Sequence, residues 1–115
     1  MPYTGSCHCG AVTFTVPADA PTEAMTCNCS HCHAKGLVLT FVPADQFAID
    51  GGADQLTDYH FYKHAITHQF CRTCGTQPFA LGQSATAPMR AINLRCVPSI
   101  DIDTLAITKV DGASF

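Results

Sequence analysis

Apolar and polar positions alternate over short distances along this chain, and turn residues interrupt them at close intervals. Ala11-Val12-Thr13-Phe14-Thr15-Val16 sets apolar side chains against threonines, and Pro17 and Pro21 close the run. A period of two puts one set on a buried face and the other towards solvent, as in a half-buried strand. Leu37 to Val42 is β-branched and aromatic and ends at Pro43, while Phe47 to Ile49 stops at the turn signal Asp50-Gly51-Gly52. Leu56 to Tyr62 and Ile66 to Phe70 read as two strands around Lys63-His64, and Phe79 to Leu81 and Arg90 to Val97 complete the set. Only Ala44 to Phe47, and Ile100 to Leu105 behind Pro98-Ser99, have helical character, and both are short. The sequence shows no internal repeat, low-complexity tract or linker. The pattern predicts a single, mainly β domain over residues 1–115: a sandwich or partly open barrel of short antiparallel strands.

Composition narrows the partners. A chain of 115 residues can bury one core without disulfide staples. Charged residues make up 13% of it, against roughly 25% in ordinary soluble domains. So thinly charged a surface is expected to carry either an oligomer interface, a homodimer in the simplest case, or a partly apolar cleft. The formal net charge is −3 and the six Lys and Arg residues are spread singly. Phosphate backbones need clustered cations, so nucleic acid is not an expected partner. Neither is a membrane, because no apolar run approaches the ~20 residues that cross a bilayer. Met1 to Ser6 is polar and lacks the regions of a signal peptide, which makes the cytoplasm the expected compartment.

Eight cysteines change the picture most. A secreted domain would pair them as disulfides, whereas a reducing compartment leaves them as metal ligands or reactive thiols. The spacings favour the second reading. Cys7-His8-Cys9-Gly10 and Cys71-Arg72-Thr73-Cys74-Gly75 are two knuckles, each with two thiols close enough to reach one ion and a glycine that frees the backbone to turn away. Zinc takes four such ligands at tetrahedral corners. Cys7, Cys9, Cys71 and Cys74 therefore form a complete structural zinc set, tying the first strand to the middle of the chain and closing a long loop. Unliganded core cysteines and disulfides are the alternatives, although one-residue spacing strains a direct Cys7–Cys9 bridge. His8 is expected to face solvent.

The middle cluster, Cys27-Asn28-Cys29-Ser30-His31-Cys32, offers three thiolates and no fourth cysteine nearby. Three protein ligands and an open position are the arrangement of a catalytic zinc. Three thiolates leave the ion with net negative charge and temper its Lewis acidity, so it generates hydroxide poorly yet accepts a further soft ligand well. A substrate thiol is expected in the fourth position in preference to a hydrolytic water. With three ligands in place of four, this second zinc is expected to be labile. His31, His33 or Cys96, the last alone inside a predicted strand, would close the site if any of them served as fourth ligand. Metal-free thiols are the remaining reading. His31 and His33 flank Cys32 and suit proton transfer, carboxylate binding or orientation of a ligand.

The ordered set Gly5-Ser6-Cys7-His8-Cys9-Gly10-Ala11-Val12, Cys27-Asn28-Cys29-Ser30-His31-Cys32, Phe70-Cys71-Arg72-Thr73-Cys74-Gly75-Thr76 and Ile92-Asn93-Leu94-Arg95-Cys96 resembles the glutathione-dependent formaldehyde-activating enzyme family, the CENP-V/GFA domain. Val110-Asp111-Gly112 is similar to that family's closing segment. The resemblance implies an Mss4-like β fold, a structural zinc at Cys7, Cys9, Cys71 and Cys74, and a functional zinc at Cys27, Cys29 and Cys32. It also implies carbon–sulfur bond formation between glutathione, a small thiol, and formaldehyde, a small aldehyde, as in S-(hydroxymethyl)glutathione synthase, a carbon–sulfur lyase. Two features depart from the family pattern. His33 stands where a basic or amide residue is common, and the compact chain leaves little room for a glutathione pocket. Lys35 and Arg72 are the cations nearest the cysteine motifs in sequence. A non-catalytic, zinc-stabilised binding or interaction module is the alternative function; a second zinc with four protein ligands and no adjacent cleft would mark it. A chromatin or microtubule role would call for a basic tail, which is absent from the sequence.

Overall fold

A computed structural model describes residues 2–28, 30–60, 66–83 and 87–111. Ten strands and one short helix follow one another: β1 (Tyr3–Ser6), β2 (Thr13–Val16), β3 (Glu23–Cys27), α1 (Ser30–Lys35), β4 (Leu39–Pro43), β5 (Ala48–Gly51), β6 (Leu56–His60), β7 (Thr67–Cys71), β8 (Phe79–Gln83), β9 (Pro88–Asn93) and β10 (Ala106–Val110). They form a three-stranded sheet in the order β1-β2-β5 and a seven-stranded sheet in the order β10-β3-β4-β9-β8-β7-β6. The sheets pack as an open sandwich, as the strand pattern predicts, and do not close into a barrel.

The alternation read from the sequence explains the packing. Along β2, Phe14 and Val16 are buried while Thr13 and Thr15 lie at the surface boundary. Phe14 reaches across to the larger sheet, its ring 6.1 Å from that of Phe79 on β8 and 5.4 Å from Phe47, in edge-on or tilted contacts. Such contacts add to the roughly 1.5–3 kcal/mol that burial of each large apolar side chain contributes. Val12, Ile92, Leu94 and Val97 belong to the same core, as do the buried Cys7 and Cys71.

Three expectations need correction. β10 runs parallel to β3, with Lys109 opposite Thr26 and Val110 opposite Cys27, so the sheet is not wholly antiparallel. Cys96 is not in a strand: β9 ends at Asn93, whose side chain accepts a hydrogen bond from the Arg95 amide and starts a 3₁₀ turn over Leu94–Cys96. The segments expected to be helical, 44–47 and 100–105, form single 3₁₀ turns at Ala44–Gln46 and Ile102–Thr104. The one α-helix among the described residues, α1, begins inside the middle cysteine motif. The expected turn at Lys63-His64 falls outside the described residues.

Candidate metal centre and a separate cysteine cleft

The two knuckles occupy equivalent places, one in the β1–β2 loop and the other in the β7–β8 loop, and they share a backbone plan. Cys7 N–H donates to Val12 O at 3.0 Å and Gly10 N–H returns to Cys7 O at 3.2 Å; Cys71 N–H donates to Thr76 O at 3.0 Å and Gly75 N–H returns to Cys71 O at 2.7 Å. Gly10 and Gly75 hold φ of 82° and 78°, a left-handed conformation that a Cβ disfavours. Each turn aims its two sulfurs inward, and the two turns meet. The Sγ atoms of Cys7, Cys9, Cys71 and Cys74 all lie within 4.8 Å of one another. Cys9 Sγ is 3.6 Å from Cys7 Sγ and 3.7 Å from Cys71 Sγ. A tetrahedral zinc with Zn–S near 2.3 Å requires sulfurs about 3.8 Å apart. The cluster therefore fits zinc.

Electrostatics support that fit. Val12 N–H donates to Cys7 Sγ at 3.3 Å and Thr73 N–H to Cys71 Sγ at 3.4 Å. Amides aimed at sulfur favour the thiolate. The Thr76 amide is the main cause that pulls the Cys74 thiol down to about 5. The Cys74 amide is the main cause that lowers the Cys71 thiol from its ordinary value. For Cys9 the Ala11 amide pulls down, but burial and the neighbouring sulfurs outweigh it and raise the thiol to about 11. Thiolates packed this closely repel one another, and a divalent cation resolves the conflict. His8 projects to solvent as expected.

The middle motif lies elsewhere. Cys27 ends β3 and Cys32 sits in α1, only 9% exposed within a small apolar cluster of Leu37, Leu39, Ala80 and Ala91 against which Cys27 packs. Both line one cleft of about 360 Å³, with His33, Leu37, Arg95 and Lys109 among its walls. That volume is within the range of small-molecule sites, so the compact chain does leave room for a ligand. Cys29 falls outside the described residues, so two members of the three-cysteine set are seen together.

The remaining candidates are divided. His33 reaches this cleft. His31, buried on the other side of α1, meets the His68 ring at 3.9 Å in a tilted contact, stacks on Tyr59 at 5.5 Å and lines a second pocket of about 420 Å³. There Lys35 Nζ donates to Gln77 Oε1 at 2.6 Å, and Gln77 Nε2 lies 3.1 Å from His68 Nδ1. Burial, then the charges of His31, Lys35 and His60, pushes His68 down to about 4. Cys96 packs near Gln77 and Asn93, and its thiol rises to about 11 through burial and the nearby Cys7 and Cys74. Neither cation nearest the motifs in sequence lines the cysteine cleft: Lys35 is held by Gln77, and Arg72 Nε donates to Gln55 Oε1. Arg95 and Lys109 line it instead. Arg95 stood inside a quoted motif, but Lys109 arrives on β10, which the polarity pattern did not reveal.

Residues 2–104 match the model of a family described as glutathione-dependent formaldehyde-activating enzyme. The chain belongs to that family. A crystal structure of a Rhodobacter sphaeroides protein is similar over 91% of this chain and 99% of its own, at 27% identity and a TM-score of 0.77. Formaldehyde-activating family membership thus rests on nearly the whole chain, both knuckles and the middle motif included. Within this family frame the four-cysteine cluster could hold the metal, and the cleft beside Cys27 and Cys32 is a separate feature. No helix among the described residues is long and apolar enough to cross a membrane.

Proposed function

We propose that this chain joins glutathione to formaldehyde, forming S-(hydroxymethyl)glutathione as a carbon–sulfur lyase, at a zinc held by Cys27, Cys29 and Cys32. The observation that carries the reading is the placing of Cys27 and Cys32 in one ligand-sized cleft, in a member of this family. Zinc bound there would supply a soft Lewis acid that keeps a substrate sulfur ionised at neutral pH. The chain's own residues do the rest. Leu37 and Val38 give the cleft an apolar wall. His33 takes the thiol proton on a ring nitrogen and returns it to the carbonyl oxygen. In balance, the sulfur pair forms the C–S bond, the carbonyl π pair moves to oxygen, and that oxygen gains the proton the thiol lost. Cys7, Cys9, Cys71 and Cys74 hold a second, structural zinc and take no part in the chemistry.

Cobalt substitution tests the reading, because thiolate-to-metal absorption reports each site. Glutathione is expected to change the spectrum of wild-type protein. Cys27→Ser is expected to abolish the response and adduct formation while the fold survives. A spectrum indifferent to every thiol tried would refute the enzyme and favour an interaction module.

A further inference from the structure

The cleft carries a charge pattern that the metal chemistry does not need. Arg95 and Lys109 line it, and so does Asp111, beside the cysteines. The pattern comes from two distant parts of the chain. Arg95 projects from the 3₁₀ turn after β9, where Asn93 Oδ1 accepts its amide at 3.1 Å, and its Nε donates to Gly36 O at 2.7 Å. That bond uses one of five guanidinium donors and fixes the plane of the rest. Lys109 and Asp111 come from β10 and the residue beyond it. Parallel pairing sets Lys109 beside Thr26, Asn28 N–H donates to Val110 O at 3.1 Å, and Asn28 Nδ2 donates to Asp111 Oδ1 at 2.9 Å. Two cations and one carboxylate thus line the cleft that Cys27 and Cys32 share, in a protein with only six Lys and Arg residues and a net charge of −3.

Resting on the thiol-adduct reading, we infer that Arg95 and Lys109 are the carboxylate-binding residues of the thiol substrate, with Asp111 receiving its ammonium group. The inventory matches a zwitterionic dicarboxylate thiol: glutathione brings two carboxylates and one ammonium to two cations and one carboxylate. A neutral thiol of the same nucleophilicity has nothing to offer these groups. Arg95 supplies a planar fork suited to a carboxylate, and Lys109 a point charge on a flexible stem. The pair selects the substrate, and the cysteines act on it.

S-methylglutathione separates this inference from the metal chemistry, because its sulfur is capped and offers no thiolate. Calorimetry at low salt compares its binding with that of its dimethyl ester, which keeps the ammonium and loses both carboxylates. The acid is expected to bind, the ester about tenfold or more weakly. Lys109→Gln and Arg95→Gln are each expected to weaken the acid about fivefold, as for partly exposed charge-assisted bonds. The selectivity of kcat/KM for glutathione over 2-mercaptoethanol should fall in the same variants. Arg95 also braces Gly36, so circular dichroism must show that Arg95→Gln folds; Lys109, exposed on an edge strand, keeps the test decisive if it does not. Ester binding as tight as the acid's, affinity within twofold of wild type in Lys109→Gln, or no binding of either compound overturns the inference. The thiol-adduct reading survives each of those results if the cobalt spectrum still responds to glutathione, and fails on its own if it does not.

Discussion

Replacing Cys71 with serine tests the division of labour between the two cysteine groups. Cys9 and Cys71 stand 62 positions apart in sequence and 3.7 Å apart at their sulfurs. A cross-link closing a loop of that length removes about 4 kcal/mol of chain entropy from the unfolded state. A domain of this size has about 5–15 kcal/mol of stability in all, so the link accounts for a large share of it. With an unfolding entropy of about 2.1 cal/mol/K per residue, the loss corresponds to a fall in Tm of about 17 °C. Cys27 and Cys32 instead stand close together in sequence, Cys32 within α1 itself, so a metal between them closes a short loop and restricts the unfolded chain far less. Thermal unfolding followed by circular dichroism, with metal counted per chain, is the assay. Cys71→Ser is expected to lower Tm by about 15 °C or more, and Cys27→Ser by less than about 5 °C; each should lose metal. Equal losses of Tm would refute the reasoning, as would a Cys71→Ser variant within about 1 kcal/mol of wild type.

Other perturbations follow from the same geometry. Gly52→Ala is expected to destabilise by about 2–3 kcal/mol, since a Cβ there would lie 1.9 Å from Ala11 O at φ +84°, whereas Gly10→Ala, with open space around it, should cost only about 1–2 kcal/mol; urea midpoints distinguish them. The folded state keeps His68 neutral down to about pH 4, whereas an unfolded histidine takes up a proton near pH ~6.5. The unfolded state therefore binds more protons between those values, and stability falls as pH drops through that window. His68→Gln should flatten the difference in urea midpoint between about pH 7 and about pH 5 relative to wild type. Asn93 is buried and donates to Gln77 O at 2.9 Å while accepting from the Arg95 amide. Asn93→Ala should cost about 1–3 kcal/mol in unfolding free energy and weaken S-methylglutathione by releasing Arg95.

The parts legible in the sequence were those whose cause is local. Alternation at Thr13–Val16 marked β2 because that strand has one buried face, and each knuckle announces itself within four residues and a glycine. β3 was missed because its polarity changes where it meets the cysteine motif, with Ala24 its only fully buried residue. β10 was missed because almost every residue in it is exposed, which leaves no alternation to read. Parallel pairing between these two strands brings Lys109 to Cys27 across most of the chain, and no local pattern encodes that. His31 and His33 looked equivalent in sequence. A turn of α1 sends one under the helix against His68 and the other into the cleft.

An edge strand has a neighbour on one side only, and β10 meets the rest of its sheet through β3 alone. Its hydrogen bonds can therefore open without disturbing the aromatic core or the knuckles, at a lower free energy than global unfolding. The fold then has two tiers, a frame joined by the two cysteine knuckles and a wall that sits at the sheet edge. Sequence drift in that wall changes which molecules are admitted at little expense to folding, which gives one frame a means to diversify across substrates.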